Sequence, residues 1–303
     1  MLNQEKESGQ LFSHYMLIML LALLVCLPDK GSAKELNGSS QPSNKGITLS
    51  IINEPRSLNT LTAESVSYSA QLMAHVQEGL MRYDGRRRLV GGVAERWVVT
   101  PSTIHFWLRQ DARWQDGSPV TAHDFAFAWR NLVKPTTGSP SANLASPIKN
   151  AAKIIKGELG FENLGIQVLN SKELLIELEH PCSWCLKLMT NSIFYPINER
   201  FYEGVKAESG IKSYGTSPQN HLSNGAFRLA RWTRGKRISL VKNDQYWRQR
   251  EVELTAIDFS YIGIDSRTRL NLFKAGDIAV AMLDRDSVTE ALEAGLRMKT
   301  FPS

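Results

Sequence analysis

The sequence predicts a mixed α/β fold rather than a strict βαβ barrel. Period-two apolar runs alternate irregularly with helical apolar stripes, and a turn-type linker joins two of those runs as a hairpin, which requires antiparallel pairing. The 303 residues are 42% hydrophobic and 22% charged, enough to fill a sizeable core and suited to two domains or one large one. No internal repeat or low-complexity tract interrupts that pattern.

Taken in order, Ile47 to Ile52 is apolar and β-branched, a buried strand, and Pro55 with Asn59 marks the loop after it. From Ser69 the spacing turns helical: Leu72, Met73, Val76 and Leu80 fall on one stripe. Ile104, Phe106 and Leu108 alternate with His105, Trp107 and Arg109 as a strand with one buried face, and Asp116-Gly117 signals a turn. Thr121 to Asp124 reads as a capping box opening a helix that buries Phe125, Trp129 and Leu132 and stops before Pro135. Leu174, Ile176 and Leu178 repeat the strand period up to His180-Pro181. Phe227 and Leu229, then Ile238 and Leu240, flank Arg234-Gly235-Lys236 as a hairpin, and Ile257, Phe259 and Tyr261 form another strand. Ser266 is placed to cap a helix through Leu270 and Phe273 that closes at Gly276. Ile278, Val280 and Met282 then resume the strand period, and Ser287 to Glu290 caps a last helix.

Charge excludes little by itself. A formal net charge of +6 permits an anionic partner, yet basic residues are scattered and only Arg86, Arg87 and Arg88 form a run, so nucleic acid is not the expected partner. Met16 to Leu27 is twelve apolar residues, too short to span a hydrocarbon layer of roughly 30 Å but suited to a signal-peptide core. Pro28 ends the run, and the small residues Gly31-Ser32-Ala33 place cleavage after Ala33, so residues 1–33 are expected to direct export to the periplasm. Glu5 and Glu7 outnumber Lys6 ahead of the apolar run, which departs from the usual positive leader. Cys26 raises the possibility of a lipidated N-terminus, against which stands the bulky Val25 before it. Residues 34–45 are polar and Ser/Asn-rich, a flexible leader. No later segment is apolar enough to span a membrane.

Cys182-Ser183-Trp184-Cys185 admits three readings: a redox pair, half of a zinc site, or a structural pair. Redox pairs usually open a helix, whereas here Pro181 and a strand pattern precede the cysteines. The six His show no metal-like spacing. An oxidising compartment favours a local disulfide or two buried thiols. No GxSxG, HExxH or GxxxxGK[ST] occurs, so an enzyme is not expected, and neither a metal nor a cofactor is called for. The enzyme alternative rests on Cys182 with Cys185 as a thiol-disulfide pair, or on His123 with Asp124.

Several stretches resemble one family in order and spacing. Gly92-Val93-Ala94-Glu95-Arg96-Trp97, Phe106-Trp107-Leu108-Arg109, Ala112-Arg113-Trp114 and Asp116 to Phe125 are similar to periplasmic oligopeptide-binding proteins, the solute receptors of ABC peptide importers. Glu78-Gly79-Leu80, Ser223 to Phe227, Asn243 to Trp247 and Phe273 to Ile278 extend the likeness from about Ile47 to the end. Most of these residues are structural, glycines for turns and aromatics for core, so they identify a scaffold, and the step to transport is analogy.

The resemblance implies a type II periplasmic-binding-protein-like clamp in which two lobes close on an extended peptide and an extra domain decorates the first. It implies residues 46–78 and 190–278 as the first lobe, 79–189 as the extra domain inserted in it, and 279–303 as an incomplete start of the second lobe. Peptide N–H and C=O groups pair with receptor strands while hydrated pockets accept varied side chains. Glu64, Ser65 and Val66 match the family's ligand-binding strand, and Asn224 with Gly225 matches a loop near the same cleft. The implied partners are oligopeptides and ABC permease subunits, with an envelope interaction or sensing module as the alternative on this scaffold. Family members are longer, and the acidic residue that pairs with a peptide's terminal amine has no match here. The second lobe is therefore expected to be largely missing, and the last 25 residues poorly packed, since uncovered apolar surface forgoes about 25 cal/mol per Å². A truncated or frameshifted product is the favoured explanation, ahead of a separately encoded C-terminal half or a one-lobed remnant.

Overall fold

The computed structural model of the chain describes residues 45–62, 67–261 and 265–297. The expected signal peptide at 1–33, nearly all of the leader at 34–45, and Glu64, Ser65 and Val66 lie outside the described residues. The chain divides into a larger unit, Pro55–Thr233 with Ile238–Ala256, and a smaller one assigned to Met1–Glu54, Arg234–Arg237 and Ile257–Ser303.

The larger unit is organised by a four-stranded sheet of β4 (Ala94–Val99), β5 (Thr103–Leu108), β6 (Ile166–Asn170) and β7 (Glu173–Glu177), in the order β4-β5-β7-β6. Every neighbouring pair is antiparallel, with Phe106 opposite both Trp97 and Leu174. The period-two pattern decides which face is covered: Ile104, Phe106, Leu108, Leu174 and Ile176 are buried, and the intervening residues are at least partly open. Helix α2 (Ala122–Val133) lays Phe125, Trp129 and Leu132 into the same core, and the Trp129 indole N–H donates to the Phe194 carbonyl at 2.9 Å. Asp116-Gly117 is a turn, with Gly117 at φ 85° and its N–H bonded to the Trp114 carbonyl.

The N-terminus of α2 is the capping box that the sequence predicts, with one further partner for its carboxylate. Asp124 accepts from the Thr121 N–H at 2.8 Å, the Thr121 hydroxyl at 3.1 Å and the Trp114 indole N–H at 3.2 Å. The carboxylate thus ties the helix start to a buried indole as well as to its own cap. Helix α1 (Tyr68–Val76) ends before Leu80, which is buried in the segment leading to β2 (Met81–Tyr83) rather than on the helical stripe. β2 pairs with β3 (Leu89–Gly91) as a separate two-stranded ribbon. Short helices α3 (Ala151–Ile155) and α4 (Cys185–Leu188), then α5 (Glu199–Ser209), fill the remainder. β8 (Phe227–Thr233) and β9 (Arg237–Lys242) are neighbours about the turn with Gly235 at φ 68°, as the alternation predicts.

In the smaller unit β1 (Gly46–Ile51) neighbours β10 (Ala256–Tyr261), and α6 (Ser266–Ala275) ends at Gly276 in the left-handed conformation. Its cap is Asp265, not Ser266: the Asp265 carboxylate accepts from the N–H groups of Arg267 and Thr268. Ile278, Val280 and Met282 form no strand. Ile278 instead joins Phe273 and Ala281 in a small apolar cluster, and Ala279 makes one backbone bond, to the Thr48 carbonyl at 2.8 Å. Helix α7 (Arg285–Glu293) is capped by Asp284 accepting from the Ser287 N–H, so the cap lies three residues before the Ser287 that the sequence suggests. The described part of the last segment is better held than expected: Glu290 pairs with Lys274 and Arg267, and Ala291 is buried, although Leu292 is 59% exposed. Among the described residues no helix is long and apolar enough to cross a membrane.

Candidate functional site

Asn224 and Gly225 lie just before β8, separated from it by Ala226, and what fixes them is the end of α1 and the residues after it. The Asn224 side chain accepts from the Glu78 N–H at 3.1 Å and donates to the Glu78 carbonyl at 2.9 Å, a two-point clasp across 146 residues of sequence. Gly225 donates its N–H to the Val76 carbonyl at 3.0 Å and accepts from the Asn243 side chain at 2.9 Å. A Cβ at this position would stand 2.6 Å from the Gln77 nitrogen and 2.7 Å from the Val76 carbonyl carbon, so close backbone approach requires glycine. Asn224 is 3% exposed and its amide is spent on this clasp.

The clasp aims Glu78 inward. Its carboxylate accepts from the Tyr246 hydroxyl at 2.7 Å and the Trp247 indole N–H at 2.6 Å, with the Arg82 guanidinium 3.6 Å away. Desolvation pushes the carboxyl pKa up against these donors and charges, which pull it down. Burial, and then the Glu78 charge, raise the Tyr246 hydroxyl as well, so it stays protonated and donating. Beside this network lies a recess of about 370 Å³ lined by Ala74, Gln77, Glu78, Tyr195, Gly225 and Tyr246 among others. Gln77 is 2% exposed; its amide nitrogen donates to the Pro196 carbonyl at 3.2 Å, and among the described residues its Oε1 has no hydrogen-bond partner. Trp247 also lines a second, more charged recess, its ring covered by Arg109 at 3.8 Å and Arg248 at 5.3 Å.

The family resemblance marked Asn224 and Gly225 but did not mark Gln77, Glu78, Tyr246 and Trp247 as parts of one site. All four lie within stretches that are legible as structural, and only the long-range clasp brings them together. Cys182 and Cys185 are joined in a disulfide across the turn that leads into α4, with Cys185 in the core and Trp184 37% exposed. His123 is exposed, whereas Asp124 is buried and bonded to Thr121 and Trp114, so the pair forms no base-and-orienter arrangement. No cluster among the described residues could hold a metal ion.

The recess, with its polar lining held in place by these bonds, has the form of a site that holds a solute. That is also the class to which comparison with known proteins assigns the chain. Residues 88–302 match the model described as bacterial extracellular solute-binding proteins, family 5, middle part, and the chain belongs to that family. It is 32% identical over 271 residues to the periplasmic murein peptide-binding protein MppA of Escherichia coli K12, covering 88% of this chain and 49% of MppA. It is 32% identical over 269 residues to the oligopeptide-binding protein OppA of Bacillus subtilis 168, covering 87% of this chain and 47% of that protein. Among solved structures, Listeria monocytogenes OppA bound to peptide superposes with a TM-score of 0.76 at 28% identity, over 82% of this chain and 48% of that one. The fold is that of these binding proteins, and the family is one of receptors rather than enzymes. The chain spans about half the length of the curated relatives it matches.

Proposed function

We propose that this chain is the peptide-holding part of a periplasmic receptor that delivers oligopeptides to an ABC permease, binding them through backbone hydrogen bonds. The family membership together with the peptide-bound relative carries the reading. In this reading Glu64, Ser65 and Val66 are the positions that contact the peptide, and in sequence they directly precede Ser67, the cap of α1, whose Oγ accepts from the Ala70 N–H at 3.3 Å. Asn224 and Gly225 fix the other end of α1, through the Asn224 bonds to Glu78 and the Gly225 bond to the Val76 carbonyl. The recess next to Glu78 leaves room for varied side chains, and pairing through main-chain groups gives affinity with little sequence preference. In the same reading residues 46–78 and 190–278 form the first lobe, 79–189 decorate it, and residues 1–33 direct export.

Hydrogen exchange of the full chain with and without a millimolar mixture of short peptides tests this. Slowed exchange is expected at the amides of residues 64–66, and Val66→Pro, which removes one backbone donor, is expected to weaken it. Unchanged exchange across that segment, with the protein folded, overturns the backbone-pairing reading.

A further inference from the structure

The β2–β3 ribbon ends in the loop Asp84-Gly85-Arg86-Arg87-Arg88, closed by bonds from the Asp84 N–H to the Arg88 carbonyl at 3.0 Å and from the Arg87 N–H to the Asp84 carbonyl at 2.9 Å. Asp84 stiffens it from inside: one carboxylate oxygen accepts from the N–H groups of Arg86 and Arg88, both at 2.9 Å, and the other from Arg88 Nε at 2.8 Å. The tip carries three consecutive arginines, of which Arg88 pairs with Asp84. Gly85 through Arg88 are all exposed, and Tyr83 on the flanking strand is 49% exposed.

The placement of glycine in this loop is the reverse of what the backbone asks for. A short hairpin loop of this kind puts its left-handed residue last, where Gly or Asn is ordinarily favoured. Here that residue is Arg87, at φ 61°, while Gly85 takes no positive φ. Strain of this kind in a non-glycine residue points toward function. A convex turn cannot surround a single ion, but guanidinium forks on a stiff tip match a flat, dense array of phosphates, and an adjacent phenol suits the headgroup level of a bilayer. We propose that the Arg86–Arg88 tip is a docking surface for anionic phospholipid headgroups, a second interaction distinct from solute holding.

The test is sedimentation of the full chain with vesicles of phosphatidylcholine alone or with added phosphatidylglycerol. The apolar run at Met16 to Leu27 contributes to both, so the anionic-minus-neutral difference is the signal. The wild type is expected to prefer anionic vesicles, and to lose that preference in high salt. Arg86→Ser is expected to weaken the preference roughly fivefold and Arg86→Ser/Arg87→Gly roughly 30-fold. The glycine removes the strain at φ 61°, so the double variant keeps the wild-type thermal midpoint. Lys153→Ser/Lys156→Ser, which removes two exposed charges elsewhere on the same unit, is expected to bind like the wild type. Absence of an anionic preference, or equal losses in the arginine and lysine variants, overturns the proposal. Arginine-dependent retention on immobilised polyglutamate without vesicle preference also overturns it, in favour of an acidic protein.

Discussion

His221 is 1% exposed, its Nδ1 lies 3.2 Å from the Ser223 hydroxyl, and burial pushes its pKa down from 6.5 to about 4. Between those values the unfolded chain binds a proton that the native imidazole refuses. The stability held by the neutral ring is therefore whole above pH 6.5 and lost as pH falls toward 4, by about 3 kcal/mol in all. Glu78 acts with the opposite sign: its raised native pKa means that stability increases as pH falls from that raised value toward the ordinary carboxylate range. Thermal unfolding from pH 7 to 4.5 should show the wild type losing several degrees relative to His221→Gln as the pH drops. A difference between the two that stays constant over this range would rule out the buried neutral ring as its source. At this scale the resemblance marked a loop at Asn224 and Gly225 before a strand but not what it grips. A buried amide is satisfied by whatever backbone lies opposite, and here that is Glu78, far away in the chain.

Among elements, β1, β5, β7, β8, β9, β10 and the α2 boundaries were legible because each follows from a local period or a local stop, whereas β2, β3, β4 and β6 were not read from the sequence. The helix caps in the smaller unit were not. Ser266 and Ser287 are good caps by residue type, yet Asp265 and Asp284 take the role. Ser266 is spent elsewhere: its hydroxyl accepts from the Asp284 N–H at 3.0 Å, linking the starts of α6 and α7. The expected strand at Ile278 failed for a related reason. Alternation says which side chains face inward but supplies no partner strand, and Ile278 and Ala281 are buried by α6 instead. The Cys182–Cys185 disulfide also acts locally, since it closes a loop with a sequence separation of three. Chain-entropy reasoning gives so short a loop about 2 kcal/mol, so Cys182→Ser/Cys185→Ser should lower urea-unfolding stability by about that amount. An unaltered midpoint would mean that the disulfide holds nothing.

For the whole molecule, the larger unit buries Trp114, Trp129, Phe106, Phe125 and Phe194 in one continuous cluster, whereas the end of α6 in the smaller unit packs with Ile278 and Ala281 in a small cluster around Phe273. Burial of this kind sets the free energy of local opening. Native-state hydrogen exchange is expected to find the amides of β5, β7 and α2 most protected and those of α6 and α7 exchanging roughly tenfold faster or more. Equal protection in the two units would contradict this ranking.

The sequence by itself determined the α/β class, the faces of the strands, the turn glycines and a family scaffold, because periodicity, turn chemistry and motif spacing act between residues near one another in the chain. Tertiary structure alone decided that Glu78 is saturated by Tyr246 and Trp247, that Gly225 admits no side chain, and that two serines yield their caps to neighbouring aspartates. Each of these depends on which distant backbone or ring is brought within about 3 Å, the range in which a hydrogen bond or a steric clash takes effect.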